Sequence, residues 1–281
     1  MLNIPFGFFG SSAGAAPTYL LDDYPGATTA LSVRLLRAAY TGNCLKARRA
    51  ADGVELDIGF TATGDLDAGS LISHANNGSC TVSVWYDQSG NGNDAANATT
   101  SQQPQITDAS GQLIVAPTRA ALEFQNTVGG AAYLPFATPY QVYGASTSFF
   151  IAASAGRQSS GYMWGGSGPG SKPTYLSQYA ASFEWYDQDR FVIASGASTV
   201  NVSQVSTTIT QGGTVASFFN GSQVFSQAAG TNTGLRNLEI IGASGAAIDP
   251  SRANWSEFIV YGTTNQTANQ SAIATNVVAY Y

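Results

Sequence analysis

Short runs of alternating apolar and polar residues recur along most of the chain, separated by residues that favour turns. Alternation with a period of two is typical of β-strands, because successive side chains in a strand lie on opposite faces of the sheet. Asn220-Gly221 separates two of these runs and favours a two-residue hairpin turn. The pattern predicts strands at 45–47, 54–60, 81–86, 120–125, 148–153, 191–194, 214–219, 223–226, 238–241 and 255–261.

Helical spacing is rarer and predicts three short helices. Leu31, Leu35 and Leu36 follow a candidate threonine cap at helical spacing, which predicts a helix over 28–40 that ends at Gly42. Two more helices are predicted at 65–75 and 264–280. Many short strands with few helices indicate an all-β, two-sheet sandwich with short peripheral helices.

Residues 1–24 differ in composition from the rest of the chain. They are predicted to form an extended N-terminal arm, followed by one sandwich domain over 25–281. The arm is either a first strand packed on the domain or an aromatic anchor that docks on a neighbouring subunit. Its candidate partner-binding residues are Phe6, Phe8, Phe9 and Tyr19.

Charged residues make up only 10% of the chain, against about 25% in an ordinary soluble domain. Seventeen acidic and eleven basic residues give a net charge of −6, which repels phosphate backbones and argues against nucleic acid as a partner. No apolar run reaches the roughly 18 residues that a membrane-spanning helix needs. Five of the basic residues fall within 34–49, and we expect them to pair with Asp52, Glu55 and Asp57.

Histidine and cysteine are too few to indicate a catalytic constellation. His74 is the only histidine, and no cysteine or serine pattern surrounds it. Cys44 and Cys80 either form a disulfide or remain two small buried thiols, and the sequence leaves both readings open. We expect no cofactor and no metal.

The loop after the predicted strand 81–86 is rich in glycine and side-chain oxygens. Asp87, Ser89 and Asn91 imitate the first ligands of a calcium loop, but Ala98 stands where that loop needs a bidentate glutamate. We therefore predict a structural loop, in which polar side chains bond to the backbone while a tryptophan fills the core. Its residues are Trp85, Asp87, Asn91 and Asn93.

Two motifs carry a family resemblance: S-V-R-L-L-R-A-A-Y-T-G at 32–42 and Y-D-Q-S-G-N-G-N at 86–93. In them the chain resembles the catalytic module of fungal-type arabinofuranosidase B and the lectin-like domains of tailed-phage virion proteins. The likeness continues through the D-I-G-F strand and the late F-I-V-Y run, and so extends over 28–281. The resemblance implies a concanavalin A-like jelly-roll sandwich, a fold that carries enzymes, lectins and structural modules alike.

The catalytic residues of that enzyme family have weak counterparts in this chain. The family nucleophile is a glutamate in a D-x-E-N pattern, and its nearest counterpart is Asp187-Gln188-Asp189-Arg190. The family acid follows a Gly-Gly pair after the late strand, where the first carboxyl group here belongs to Asp249. The vicinal cysteine pair of the family's sugar pocket is missing. A hydrolase would therefore have to use Asp187 or Asp189 with Asp249, and the resemblance implies the hydrolase fold without its hydrolase site.

Three functions from three classes follow. The leading prediction is a non-enzymatic virion structural protein, a capsid decoration or tail component that binds other virion proteins and forms homo-oligomers to cover its apolar surface. The second is a module that binds a surface glycan through Trp164, Trp185 and Tyr186, although a cap on the sandwich edge also explains Trp164. The third is an extracellular glycoside hydrolase built on the aspartates named above.

Overall fold

The structure, a computed structural model, is an antiparallel β-sandwich flanked by short helices. This confirms the all-β fold class. It describes residues 19–116, 118–124, 126–127, 130–141, 146–155, 161–167, 173–179, 182–187, 190–195, 203–210, 214–228, 237–242, 253–262, 264 and 266–281.

Strands make up most of the described chain. In chain order they are β1 (Thr29–Ser32), β2 (Leu45–Arg49), β3 (Glu55–Ile58), β4 (Cys80–Trp85), β5 (Ala95–Ala96), β6 (Leu122–Phe124), β7 (Asn126–Thr127), β8 (Gly130–Ala131), β9 (Tyr133–Gln141), β10 (Ser146–Ala155), β11 (Gly161–Ser167), β12 (Pro173–Tyr179), β13 (Ser182–Asp187), β14 (Arg190–Ser195), β15 (Ser203–Thr210), β16 (Thr214–Phe219), β17 (Ser222–Ala228), β18 (Asn237–Gly242) and β19 (Ala253–Tyr261). The helices are α1 (Leu20–Asp23), α2 (Ala68–Ala75) and α3 (Gln270–Tyr280), with 3₁₀ turns at Thr100–Gln102 and Thr267–Asn269.

The described strands form two large sheets and one small pair. The first sheet has the order β1-β19-β10-β15-β16-β17, with β6 also paired to β19. The second has the order β14-β13-β12-β11-β18-β9-β5-β4-β2-β3, and β7 pairs with β8. β15, β16 and β17 are successive antiparallel neighbours. β1 and β19, in contrast, are the first and last strands in chain order and pair with each other.

The main core lies between the two large sheets. The first sheet contributes Trp255 and Phe258, and the second contributes Trp85 and Leu134, all of them fully buried. The rings of Trp255 and Phe258 lie 5.6 Å apart. Burying one large apolar side chain is worth about 1.5–3 kcal/mol, so residues of this kind supply most of the force that holds the sheets together.

β19 is buried on both faces, because a second core covers the outer face of the first sheet. Trp255 and Phe258 lie in the main core, while Ile259 and Tyr261 lie in the second. Helices α1 and α3 close this second core with Leu20, Leu21, Ile273 and Val277. Burial on both sides explains why the last four residues of this strand, 258–261, are all apolar.

The predicted helix over 28–40 is wrong. Its first part is strand β1, which pairs along its whole length with β19. The amide of Ala30 donates to Oδ1 of Asp87 at 2.7 Å, and the amide of Leu36 donates to Oε1 of Gln88 at 2.8 Å. These partners, more than 50 residues away in sequence, replace the local bonds of a helix. Leu31 lies in the main core and Leu36 in the second core, so these leucines do not share one helix face.

Predictions that rest on local signals are confirmed. Asn220 and Gly221 have positive φ values of 47° and 79° and join β16 to β17 as a two-residue turn. In α2, the side chain of Asp67 accepts a bond from the amide of Ser70, and Asn76 ends the helix in the left-handed conformation. The predicted closing helix is also present, as α3.

Three of the five basic residues at 34–49 form the predicted ion pairs. The pairs are Arg49–Asp52 at 2.7 Å, Arg48–Glu55 at 3.0 Å and Lys46–Asp57 at 3.9 Å. The exceptions are Arg34, which pairs with Glu257 of β19, and Arg37, which donates through Nη1 to the carbonyl oxygen of Ser89 at 2.9 Å. Cys44 and Cys80 are free, buried thiols. Burial raises the pKa of the Cys44 thiol, which keeps it protonated and chemically inert.

The end of the predicted arm packs on the sandwich. Leu20 and Leu21 of α1 are buried in the second core, and Tyr19 is half-buried. Phe6, Phe8 and Phe9 lie outside the described residues. A boundary at residue 24 and an anchoring role for the preceding segment stay predictions.

Within the part of the chain that the structure describes, no helix is long and apolar enough to cross a membrane. The same residues contain no group of three or more metal-ligating side chains. A ring nitrogen of His74 lies 3.2 Å from the carbonyl oxygen of Val54, so this histidine has a backbone neighbour.

Candidate functional site

Strand β13 carries Asp187 at its last position. Asp187 pairs across the sheet with Thr174 of β12 and Arg190 of β14. Asp189 and Asp249 lie outside the described residues. β18, the strand that precedes Asp249 in sequence, belongs to the same sheet as β13 and is separated from it by β12 and β11. The strand order therefore places Asp187 and the strand that precedes Asp249 in the same half of the second sheet.

The two candidate sugar-binding tryptophans share a row of cross-strand partners. Leu176 of β12 pairs with both Trp164 of β11 and Trp185 of β13. The row continues from Trp164 through Ile241 to Leu134, which is fully buried in the main core. Directly opposed residues share one face of a sheet. Positions 164 and 185 therefore lie on the face that carries Leu134, and position 186 on the other; a glycan-binding role for the three stays a prediction.

The loop after β4 is organised around the carboxylate of Asp87. Its Oδ1 accepts bonds from the amides of Ala30 and Ser89 at 2.7 and 2.9 Å. Its Oδ2 accepts bonds from the hydroxyl of Ser89 at 2.6 Å and from the amide of Asn93 at 2.9 Å. Four donors on two oxygens require a group that only accepts, which is what an ionised carboxylate is.

The neighbouring side chains bind the same loop to the segment around β1. Nδ2 of the Asn91 side chain donates to the carbonyl oxygen of Ala27 at 3.0 Å, and Nδ2 of the Asn93 side chain donates to the carbonyl oxygen of Thr28 at 2.7 Å. Gln88 is fully buried and bonds only to backbone in the described residues. Trp85, at the end of β4, is fully buried in the main core. The polar atoms of the loop are thus occupied by backbone partners.

A buried ion pair that the sequence did not predict joins the start of the domain to β19. Arg34 donates through Nε to Oε2 of Glu257 at 2.7 Å and through Nη2 to Oε1 at 3.0 Å, a bidentate pair. Ser32 and Tyr281 donate to the same carboxylate at 2.8 and 3.1 Å. Burial opposes the charge of Arg34, yet Glu257 raises the pKa of the guanidinium. One signal was available: a glutamate inside a strand buried on both faces needs a cationic partner.

A second polar cluster lies at the surface beside this pair. The hydroxyl of Tyr280 donates to Oδ1 of Asp65, and Arg119 approaches the same oxygen at 3.4 Å. The guanidinium groups of Arg34 and Arg119 lie 4.8 and 4.6 Å from the centre of the Tyr280 ring. Burial and the bond to Asp65 raise the pKa of Tyr280, so its hydroxyl stays protonated at neutral pH.

Comparison with known proteins matches the first half of the chain to one protein family. The model of the α-L-arabinofuranosidase B catalytic family matches residues 18–164, more than half of the chain. A probable α-L-arabinofuranosidase B of Aspergillus flavus is 35% identical over 83 residues, which are 29% of this chain and 16% of that protein. The α-L-arabinofuranosidase B of Emericella nidulans is 33% identical over 88 residues, 31% of this chain and 17% of that protein. The matched segments are thus about a sixth of the length of these relatives.

A solved structure extends the likeness to most of the fold. The crystal structure of an arabinofuranosidase complexed with arabinofuranosyl-α-1,2-xylobiose superposes with a TM-score of 0.66 at 15% identity. The superposition covers 90% of this chain and 62% of that one. At this identity the likeness shows the fold alone.

The predicted virion structural protein, with its capsid or tail location, is wrong. The family model and the curated relatives are those of arabinofuranosidase B. The error has a physical cause, because the motif that suggested a virion protein contains Asp87 and Gln88, whose side chains tie the loop to β1 and the residues after it. Such residues report a fold and carry no information about what the fold does.

Proposed function

This chain belongs to the α-L-arabinofuranosidase B catalytic family, and from that premise we propose that it is a glycoside hydrolase domain that removes α-L-arabinofuranosyl groups from a carbohydrate. The observation that carries the proposal is the family match over residues 18–164. The fold likeness to an arabinofuranosidase over 90% of the chain supports it, because the likeness extends into the second half, where the candidate carboxylates lie.

The proposed chemistry uses two carboxyl groups. Asp187 or Asp189 serves as the nucleophile that attacks the anomeric carbon, and Asp249 protonates the leaving oxygen and then activates water. A retaining glycosidase holds its two carboxyl groups about 5–5.5 Å apart. β13 and β18, the strands that precede these residues, are members of one sheet. Three antiparallel pairings separate them, so they run in opposite directions. The proposal therefore requires the segment between β18 and Asp249 to return along the sheet towards the end of β13.

An aspartate in the nucleophile position has a kinetic consequence. Its carboxylate is one methylene shorter than that of the family's glutamate, which moves the attacking oxygen back by roughly 1.5 Å, one carbon–carbon bond. Misplacement on the order of 1 Å can cost about a hundredfold in rate. We therefore expect slow turnover, and Asp189→Glu is the change expected to accelerate it if Asp189 is the nucleophile.

The test is release of 4-nitrophenol from 4-nitrophenyl α-L-arabinofuranoside by the full chain, followed for the wild type and for Asp187→Asn, Asp189→Asn and Asp249→Asn. Loss of the acid/base or nucleophile is expected to reduce kcat by about 10²-fold to 10⁴-fold. Asp23→Asn is the matched control, since Asp23 is an exposed aspartate of α1.

Each outcome of this assay has a defined meaning. Turnover that falls with Asp249→Asn and with one of the other two variants supports the assignment. If none of the three variants reduces turnover, the assignment of the catalytic residues is wrong, whereas the proposed hydrolase activity stands. A wild type with no turnover above the rate in buffer contradicts the proposed activity itself.

An extracellular location goes with this function, because arabinofuranosyl groups are carried by polymers too large to enter a cell. The virion location is not retained. The measurement is whether the chain is recovered from culture medium or from cells of its own source.

A further inference from the structure

A pocket of about 240 Å³ opens between the segment that follows β3, the segment that leads to β6 and the end of α3. Its lining includes buried apolar residues, Val33, Leu66 and Ala120. Its polar lining consists of Asp65, Arg119, Thr118 and Tyr280. Asp187, the one candidate catalytic aspartate among the described residues, belongs to β13 and is not part of the lining. β3 and β13 stand near opposite ends of the strand order of the second sheet.

The polar rim of the pocket is balanced in charge. Asp65 supplies one negative charge and Arg119 one positive charge, with Nη1 and Oδ1 3.4 Å apart. A rim of this kind gives no net attraction to a phosphate or to a metal cation. It offers both donors and acceptors, which suits a neutral ligand that carries several hydroxyl groups.

The rim is also fixed in place. The ring of Tyr280 is contacted by two guanidinium groups, and one of them, Arg34, is itself held by the bidentate bond to Glu257. Arg119 donates through Nε to the carbonyl oxygen of Tyr280 at 3.2 Å. A rim positioned before binding loses little conformational entropy when a ligand arrives.

We propose that this pocket is a carbohydrate subsite that holds one neutral sugar ring. A sugar presents C–H groups on its ring faces and hydroxyl groups around its edge. The apolar lining matches the C–H groups of the ring faces, and the polar rim matches the hydroxyl groups of the edge. The volume lies below the roughly 300–1,000 Å³ of pockets for larger ligands, so a single ring fits and an oligosaccharide does not.

The choice of arabinose-containing sugars as ligand class rests on the proposed function, while the pocket itself does not. In a hydrolase, such a subsite holds a sugar unit of a polymer away from the bond that is cut. We expect weak binding, with a dissociation constant on the order of 1 mM.

The experiment is an NMR titration of the full chain with methyl α-L-arabinofuranoside, read from the methyl groups of Val33, Leu66 and Val115. It uses the Asp249→Asn protein so that the probe is not consumed, because the acid/base role is proposed for that residue alone. We expect saturable shifts at these methyl groups. Arg119→Ala removes a rim donor, and Ala68→Phe fills the pocket without touching the charged groups; each is expected to weaken binding at least tenfold.

The control is Arg49→Ala, which removes an arginine from another exposed ion pair and is expected to leave the titration unchanged. No saturable shift at the pocket methyl groups, or shifts that survive both Arg119→Ala and Ala68→Phe, would overturn the subsite. Turnover assays on the wild type separate the two proposals. Binding without turnover contradicts the proposed hydrolase activity and supports the subsite. Turnover without binding at the pocket supports the hydrolase activity and contradicts the subsite.

Discussion

Two polar regions of this molecule are each built around one aspartate and differ in the partners of that aspartate. The loop after β4 and the rim of the pocket each centre on one aspartate, Asp87 and Asp65. Asp87 is 5% exposed and binds four donors, three of them amides of the main chain. The side chain of Asp65 is 38% exposed, and its partners are side chains: Thr63, Arg119 and Tyr280.

The difference shows how a structural carboxylate is distinguished from one available to a ligand. Main-chain amides cannot change from donor to acceptor, so they hold the acceptor opposite them in one state. Hydroxyl groups rotate and can exchange a protein partner for a ligand. The partners of a polar residue, more than its type, decide which role it has.

The strongest test removes a charge from the buried pair that supports the rim. Glu257→Ala leaves the guanidinium of Arg34 buried without its counterion, and we expect a loss of about 3–5 kcal/mol in the free energy of unfolding. Urea denaturation measures the loss. The double variant Arg34→Met with Glu257→Leu is expected to be more stable than Glu257→Ala, because it buries no unpaired charge. Equal stability of the two proteins would contradict this account.

A smaller loss is expected when the loop carboxylate becomes an amide. In Asp87→Asn the new NH₂ group replaces Oδ1 or Oδ2, and each of these oxygens faces two donors. The hydroxyl of Ser89 can rotate to accept, but the main-chain amides cannot, so at least one amide loses its acceptor, at a cost of about 1–3 kcal/mol. The measurement is the shift in urea midpoint at unchanged slope. A midpoint shift smaller than that of Asp65→Asn would reverse the comparison between the two regions.

The same change at the rim is expected to cost less stability. In Asp65→Asn the amide NH₂ can take the place of Oδ2 and donate to the hydroxyl of Thr63, which rotates to accept. Loss of the exposed pair with Arg119 costs about 0–1 kcal/mol. Sugar binding to the pocket, measured by the methyl titration, is expected to weaken although the protein stays folded. Unchanged binding would show that the carboxylate is not part of the subsite.

Sequence predicted the features whose partners lie nearby in the chain. Asn220-Gly221 needs only its own backbone conformation, and α2, which lies within the helix predicted at 65–75, needs only partners one helical turn away. β1 could not be distinguished from a helix, because its bonds come from β19 and from residues beyond position 86. The Arg34–Glu257 pair spans 223 residues of sequence.

The candidate site was predictable only in part, for a related reason. The resemblance was correct for the enzyme family and the fold, yet the motifs that carried it hold strands together. A motif of that kind indicates the fold and says nothing about activity. The functional prediction therefore depended on the weak counterparts of the catalytic residues, and it was wrong. The pocket rim joins residues at positions 65, 119 and 280, and no local pattern connects them.

The smallest expected effect concerns an exposed carboxylate that is nevertheless fully engaged. Bonds from Arg49 and from the amide of Val54 lower the pKa of Asp52 to about 2. Since the unfolded value is about 3.9, the pair stabilises the fold above pH 4, and this contribution is lost as the pH falls from about 4 through 2. NMR titration of the Asp52 carboxyl measures the midpoint, which is expected to rise in Arg49→Ala towards the ordinary value but not to reach it, because the Val54 amide remains. An unchanged midpoint would show that the arginine does not hold this carboxylate, and that exposure alone separates available from engaged groups.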